Sequence, residues 1–135
     1  MNVYLDANFV IYLIERHPVW GPIVETITSE LFANGDCIAV SDLTRLECQV
    51  GPLMKQNITL LNQFDLFFQS PEVLVLPLTS DVCNRAAVLR AKYRFKTPDA
   101  IHLAAAIEFN CVRFITNDIK LTTCTEIPIA QLKQL

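Results

Sequence analysis

A chain of 135 residues with a net charge of −3 and 52% apolar residues suits one domain and needs no disulfide or structural metal to hold it together, because a fold of this size buries roughly two-thirds of its unfolded surface. The mean hydropathy of +0.33 points to a large core, an apolar oligomer face, or both, yet no apolar run reaches the ~18–20 residues that cross a bilayer. The slight acidity argues against a broad nucleic-acid-binding face, and five cysteines without a C-x-x-C pair, beside only two histidines, argue against a zinc site or a disulfide framework.

"NVYL" (2–5) reads as a short strand ended by Asp6. The start lacks the basic stretch and small-residue cleavage site of a secretory signal, so a cytoplasmic protein is expected. "FVIYLIE" (9–15) reads as a helix, with Pro18 near its end. "IVETITSELF" (23–32) has helical spacing and closes at Asn34-Gly35; the "HPVWGP" segment before it, with Trp20, reads as a loop. "CIAV" (37–40) is a second strand. Ser41 is a good N-cap for a helix through "DLTRLECQV" that Gly51-Pro52 should end. "ITLLNQFDLFF" (58–68) is a further helix whose Phe64, Phe67 and Phe68 face the core while Leu66 lies off that face.

"VLVL" (73–76) is a third strand, and Thr79 or Ser80 starts a long helix to about Phe95. Thr97 is expected to cap the next helix, with Pro98 in the first helical position that proline favours. "VRFI" (112–115) is a fourth strand, and "IPI" (127–129) a fifth that Pro128 confines to an edge. The strands are short, continuous apolar runs alternating with helices, which implies an α/β sandwich around a mainly parallel sheet covered on both faces.

Open parallel sheets bind ligands beyond the carboxyl ends of their strands. Asp6 follows the first strand directly, and Asp118 follows "VRFI" after Thr116 and Asn117. Glu47 lies about two turns into the helix after "CIAV", and Asp99 stands in the first turn of the helix before "VRFI". Singly, each has an ordinary explanation as a turn residue, a cap, a solvated helix position or a dipole partner worth roughly 0.3–1 kcal/mol. Together they sit in apolar surroundings: Leu46, Cys48 and Val50 flank Glu47, and "AIHLAAAI" follows Asp99. Carboxylates are rarely buried without a partner, and no matching set of bases lies nearby. A hard divalent cation such as Mg²⁺ or Mn²⁺ would answer their repulsion, and such ions activate water for displacement at phosphorus. No Gly-rich phosphate loop, G-x-S-x-G or H-E-x-x-H offers a competing chemistry.

Four blocks in order, "VYLDANFVIYLIE", "SDLTRLE", "TPDAIHLAAA" and "FITND", resemble the PIN-domain ribonucleases, and within them the VapC-type toxins of toxin–antitoxin pairs. The resemblance covers the whole chain. It implies a single PIN-like domain over residues 1–135, an α/β/α sandwich with a mainly parallel central sheet of four to five short strands. It also implies a metal-dependent endoribonuclease that uses Mg²⁺, with Mn²⁺ as the alternative ion. The metal-binding and catalytic acids it implies are Asp6, Glu47, Asp99 and Asp118, with Asn8 and Thr116 as supporting polar residues. RNA is then the substrate, a cognate antitoxin protein covers or enters the site, and a homodimer is the usual assembly. Ala7 departs from the pattern, since many relatives carry Thr or Ser there.

Five of the eleven bases, Arg85, Arg90, Lys92, Arg94 and Lys96, fall in twelve residues just before "TPDAIHLAAA"; they are candidates for RNA contacts, weighed against a solvated helix face. His102 lies near Asp99 on the same helix and reads as a half-buried structural histidine, Asp42 as a helix-dipole partner. Two alternatives stay open. Asp6-Ala7-Asn8 after a strand is similar to the nucleophile motif of haloacid dehalogenase-type phosphatases, although their downstream Thr/Ser and Lys motifs are not evident; a covalent aspartyl-phosphate would mark that chemistry. A PIN-like binding module with an idle site is the other, disfavoured by the presence of all four acids.

Overall fold

A computed structural model describes residues 1–132. In chain order its elements are β1 (Asn2–Leu5), α1 (Ala7–Ile14), α2 (Trp20–Ala33), β2 (Cys37–Ser41), α3 (Asp42–Met54), α4 (Ile58–Gln69), β3 (Val73–Leu76), α5 (Ser80–Tyr93), α6 (Thr97–Glu108), β4 (Arg113–Thr116), a 3₁₀ turn (Ile119–Thr123) and β5 (Ile129–Gln131). The strands form one five-stranded sheet in the order β3-β2-β1-β4-β5. Every neighbouring pair is parallel, so the mainly parallel sheet expected from the sequence is wholly parallel.

Strand residues alternate between two cores. Tyr4, Ala39 and Phe114 pack with Val82, Ala86 and Leu89 of α5 and Ala100, Leu103 and Ala104 of α6. Val3, Leu5, Ile38, Val40 and Ile115 pack on the other face with Phe9 and Val10 of α1, Val24 and Leu31 of α2, Cys48 of α3, and Phe64 and Phe68 of α4. Both faces are apolar, which is why the strands read as unbroken hydrophobic runs. Leu66 is exposed, as the helical face of α4 implies.

The connections decide where a site can form. From β1 the chain moves through β2 to β3 on one side, then returns through α5 and α6 to place β4 on the other side of β1. The strand order therefore reverses between β1 and β4, and the crevice at their carboxyl ends is the place where such sheets bind ligands. Register brings Leu5 opposite Ile115, so the residues after each strand, Asp6 and Thr116, emerge side by side.

Local departures from the sequence reading have physical reasons. Trp20 opens α2 instead of lying in a loop; its ring stacks on Tyr12 with centroids 6.0 Å apart, and that packing favours the extra helical turn. Gly51-Pro52 does not end α3, which runs to Met54 with Pro52 inside it. A proline there forfeits the backbone bond to the Cys48 carbonyl and crowds that carbonyl, and burial of the Pro52 ring offsets part of the cost. Thr97 is not a cap: α6 begins at Thr97 with Lys96 in the N-cap position and no side-chain cap, so Pro98 is second in the helix. The fifth strand starts just after Pro128, at an edge of the sheet as expected. Cys48, Cys111 and Cys124 are buried and all five cysteines are free. Among the described residues no helix is long and apolar enough to cross a membrane.

Candidate functional site

Asp6 occupies the N-cap of α1. Its Oδ1 accepts from the Ala7 N–H at 2.7 Å, and its own N–H donates to the Ile115 carbonyl at 3.0 Å, tying it to β4. Its Oδ2 accepts from the Thr116 hydroxyl at 2.6 Å. Thr116 is fully buried, and the same hydroxyl accepts from the Asp118 N–H at 3.0 Å. One buried hydroxyl thus ties two acids of the crevice together. Asp118 in turn caps the 3₁₀ turn, accepting from the Lys120 N–H at 3.0 Å.

Asp99 points into the same crevice from the first turn of α6. Its carboxyl is held above the usual carboxylate range, first by burial and then by the negative charges of Asp6 and Asp118; His102 and Lys96 pull the other way. That pattern places three of the four sequence-identified acids within reach of one another's fields.

Glu47 joins them indirectly. It accepts from His102 Nε2–H, one turn along α6 from Asp99. The other ring nitrogen lies 2.6 Å from the Tyr4 hydroxyl, which bonds Ser41 Oγ at 2.9 Å. Ser41 ends β2 and starts α3, its N–H donating to Thr44 Oγ1 at 3.1 Å. A buried chain Ser41–Tyr4–His102–Glu47 therefore runs across the sheet and sets the Glu47 rotamer. His102 is only 2% exposed, more deeply buried than its sequence context suggested.

Asn8 is exposed, and its side chain makes no hydrogen bond among the described residues, unlike Thr116. Asp42 pairs with Arg45 at 3.4 Å in the first turn of α3, the dipole position expected for it. Among the described residues no three His, Cys, Asp or Glu side chains form a ready-made metal cage. The donor set nonetheless fits a hard ion: it is all oxygen, gathered at one edge, and Mg²⁺ characteristically takes one or two carboxylates and keeps several waters.

The five clustered bases divide. Arg85 is paired with Glu108 at 2.7 Å, Arg90 Nε donates to the Phe95 carbonyl at 3.0 Å, and Lys92 is paired with Glu126 at 3.0 Å. Arg94 and Lys96 instead line a cavity of about 350 Å³ together with Asp99, Asp118, Tyr93, Phe95, Lys120 and Thr123. Lys120 stands alone in the sequence, and Tyr4 reads there only as a strand residue. Neither carries a local signal, because each acquires its neighbours from distant segments.

A family model described as "PIN domain" matches residues 3–124. No curated protein matches the chain by sequence. Similar solved structures include VapBC2 from Rickettsia felis bound to a promoter DNA fragment, at TM-score 0.81 and 20% identity over 97% of this chain and 98% of that one. VapBC-1 from nontypeable Haemophilus influenzae is similar at TM-score 0.77 and 22% identity, covering 97% and 98%. Mycobacterium tuberculosis VapC20, described as a sarcin-ricin loop cleaving toxin, is similar at TM-score 0.72 and 14% identity, covering 90% and 93%.

Proposed function

The chain belongs to the PIN domain family, and from that premise we propose that it is a metal-dependent endoribonuclease, the toxin of a toxin–antitoxin pair. The observation that carries the reading is the convergence of Asp6, Asp99 and Asp118 where the strand order reverses, with Glu47 tethered through His102. Membership of the family sets aside the phosphatase reading of Asp6.

Asp6, Asp99, Asp118 and Glu47 would hold Mg²⁺ or Mn²⁺. When bound, such an ion supplies an activated water and offsets the negative charge that builds at phosphorus. The chain's own residues do the rest. Thr116 fixes the Asp6 carboxylate and the backbone that carries Asp118. His102, braced by Tyr4 and Ser41, holds Glu47 against rotation. The first turn of α6 keeps Asp99 beside a positive helix end, which offsets part of the cost that burial, Asp6 and Asp118 place on its ionised form; a bound cation would offset the rest.

The partner reading has its own support. Leu46, Val50, Leu53 and Met54 are 59%, 48%, 57% and 80% exposed, and their spacing lays them along one side of α3. An apolar strip of that kind marks an interaction surface. The structural neighbours from Rickettsia felis and Haemophilus influenzae are VapBC structures, and an antitoxin and a second copy of this chain are the proposed partners.

Incubation of the purified protein with total RNA tests the reading. Cleavage should appear with Mg²⁺ or Mn²⁺, stop in chelator, and be absent in Asp99→Asn. Full RNA integrity with metal supplied, in a preparation free of antitoxin, would leave a non-catalytic PIN module instead.

A further inference from the structure

The cavity beside the acids breaks two rules of local structure. Arg94 ends α5 in the left-handed region, at φ 59 and ψ 32, where glycine is favoured and a side chain is strained. Lys96, two residues later, takes the N-cap of α6, where Ser, Thr, Asp or Asn is favoured and a cation opposes the helix dipole. Lys120 reaches the same cavity from the 3₁₀ turn, its backbone held by Asp118. Among the described residues none of these three cations has an ion-pair partner, whereas Arg85 and Lys92 do. Arg16, Gln56 and Asn110 share the left-handed backbone of Arg94, so what sets this place apart is the gathering of three cations, without ion-pair partners among the described residues, on one cavity beside the acids.

The remaining wall is not a base platform. The Tyr93 ring stacks on Phe95 with centroids 5.1 Å apart and has the Lys92 ammonium 5.1 Å from its centroid, while its hydroxyl bonds Glu126. Its faces and its polar end are already engaged.

We propose that this cavity is a backbone-phosphate subsite for single-stranded RNA, in which Arg94, Lys96 and Lys120 hold the phosphate next to the one positioned at Asp99 and Asp118. It rests on the nuclease reading above. Three cations on one rim of an acidic crevice also explain how a protein of net charge −3 draws a polyanion to its carboxylates: the attraction is local. Because the cations meet phosphates and no ring is free to stack, the subsite is indifferent to base identity.

The test measures binding of fluorescein-labelled oligo-U and oligo-A, equal in length, by anisotropy in chelator across a salt series. The proteins are wild type, the triple variant Arg94→Gly/Lys96→Gln/Lys120→Gln, Arg94→Gly alone, and Arg85→Gln as a control outside the cavity. Each cation removed should flatten the log–log salt slope by about 0.7, so about 2 for the triple variant, equally on both oligonucleotides. Arg85→Gln should leave the slope unchanged. Glycine suits the left-handed position, so Arg94→Gly should melt no lower than wild type and still lose about 0.7 of slope; it carries the test if the triple variant does not fold.

A triple or Arg94→Gly variant with wild-type slope overturns the proposal. So does a loss confined to one oligonucleotide, or an equal loss in Arg85→Gln. A parallel cleavage assay with Mg²⁺ separates the two readings. Unchanged slope with active wild-type enzyme removes the subsite and keeps the nuclease; flattened slope with an inactive wild type keeps the subsite and removes the nuclease.

Discussion

Thr116 offers a clean perturbation of the site, because its hydroxyl and its methyl do different work. The hydroxyl donates to Asp6 at 2.6 Å and accepts from the Asp118 N–H at 3.0 Å, and the residue is 0% exposed. Thr116→Val keeps the shape and deletes the hydroxyl. A hydrogen bond to a charged group contributes roughly 1.5–3 kcal/mol. Asp6 is half-buried and keeps the Ala7 N–H, so the loss belongs near the lower end, about 2 kcal/mol. For a chain of this length that lowers Tm by about 7 °C. Thr116→Ser keeps the hydroxyl and removes one buried methyl, about 1 kcal/mol. Stability alone would separate the two variants by only about 1 kcal/mol, but activity should separate them far more. Partners that orient metal-binding carboxylates are typically worth about 10–100-fold in metal affinity or activity, so Thr116→Val should lose that much RNA cleavage while Thr116→Ser keeps most of it. Calorimetry and a cleavage time course on the same preparations read both quantities. Wild-type cleavage by Thr116→Val, or an equal loss in both variants, would refute the view that this hydroxyl positions Asp6 and Asp118.

Three further outcomes are expected. The Asp99 carboxyl is raised above its ordinary value of 3.8 by burial and by Asp6 and Asp118, so its ionised form opposes folding; the cost is fully present above the folded pKa and vanishes below the unfolded one. Metal-free Asp99→Asn should therefore melt above wild type at neutral pH, with the gain shrinking as pH falls toward 3.8, and thermal scans across that range check it. Glu126 is held down at about 2, first by the Tyr93 hydroxyl and then by Lys92, so Tyr93→Phe should move its NMR titration midpoint up toward the ordinary 4.5; an unmoved midpoint would remove Tyr93 as the cause. Ala105 is fully buried in α6, and Ala105→Asp strands an unpaired charge there at a cost of about 4 kcal/mol or more, so it should be insoluble or unfolded by circular dichroism where Asp99→Asn is folded.

The fold was readable because its strands are short apolar runs between helical patterns, and Gly, Pro and Ser punctuate them. Where the structure departs from local signals, tertiary packing overrides them. Trp20 joined a helix because its ring found Tyr12, and Pro52 sits inside α3 with its ring buried, which offsets part of the lost backbone bond. Lys96 took the cap that a hydroxyl residue one position later was expected to fill. The acids were legible from their places after strands and at a helix start. The groups that orient them were less so. Tyr4 and His102 are 98 residues apart in the chain yet in hydrogen-bond contact, and nothing in either local sequence announces the partnership. Thr116 stood out through family resemblance, but its double role follows only from the register of β1 and β4. The basic segment shows the same limit: five charges look alike in sequence, and only their partners distinguish Arg85 and Lys92 from Arg94 and Lys96.

The central claim is that Asp6, Asp99 and Asp118 form a metal site at the crevice between β1 and β4. Crystals of the wild-type protein grown or soaked with Mn²⁺ test it most directly, through an anomalous difference map. The account predicts a peak in contact with those carboxylates, and no peak there in Asp99→Asn crystals treated identically. A peak elsewhere on the molecule, or none at this crevice at saturating Mn²⁺, would contradict it.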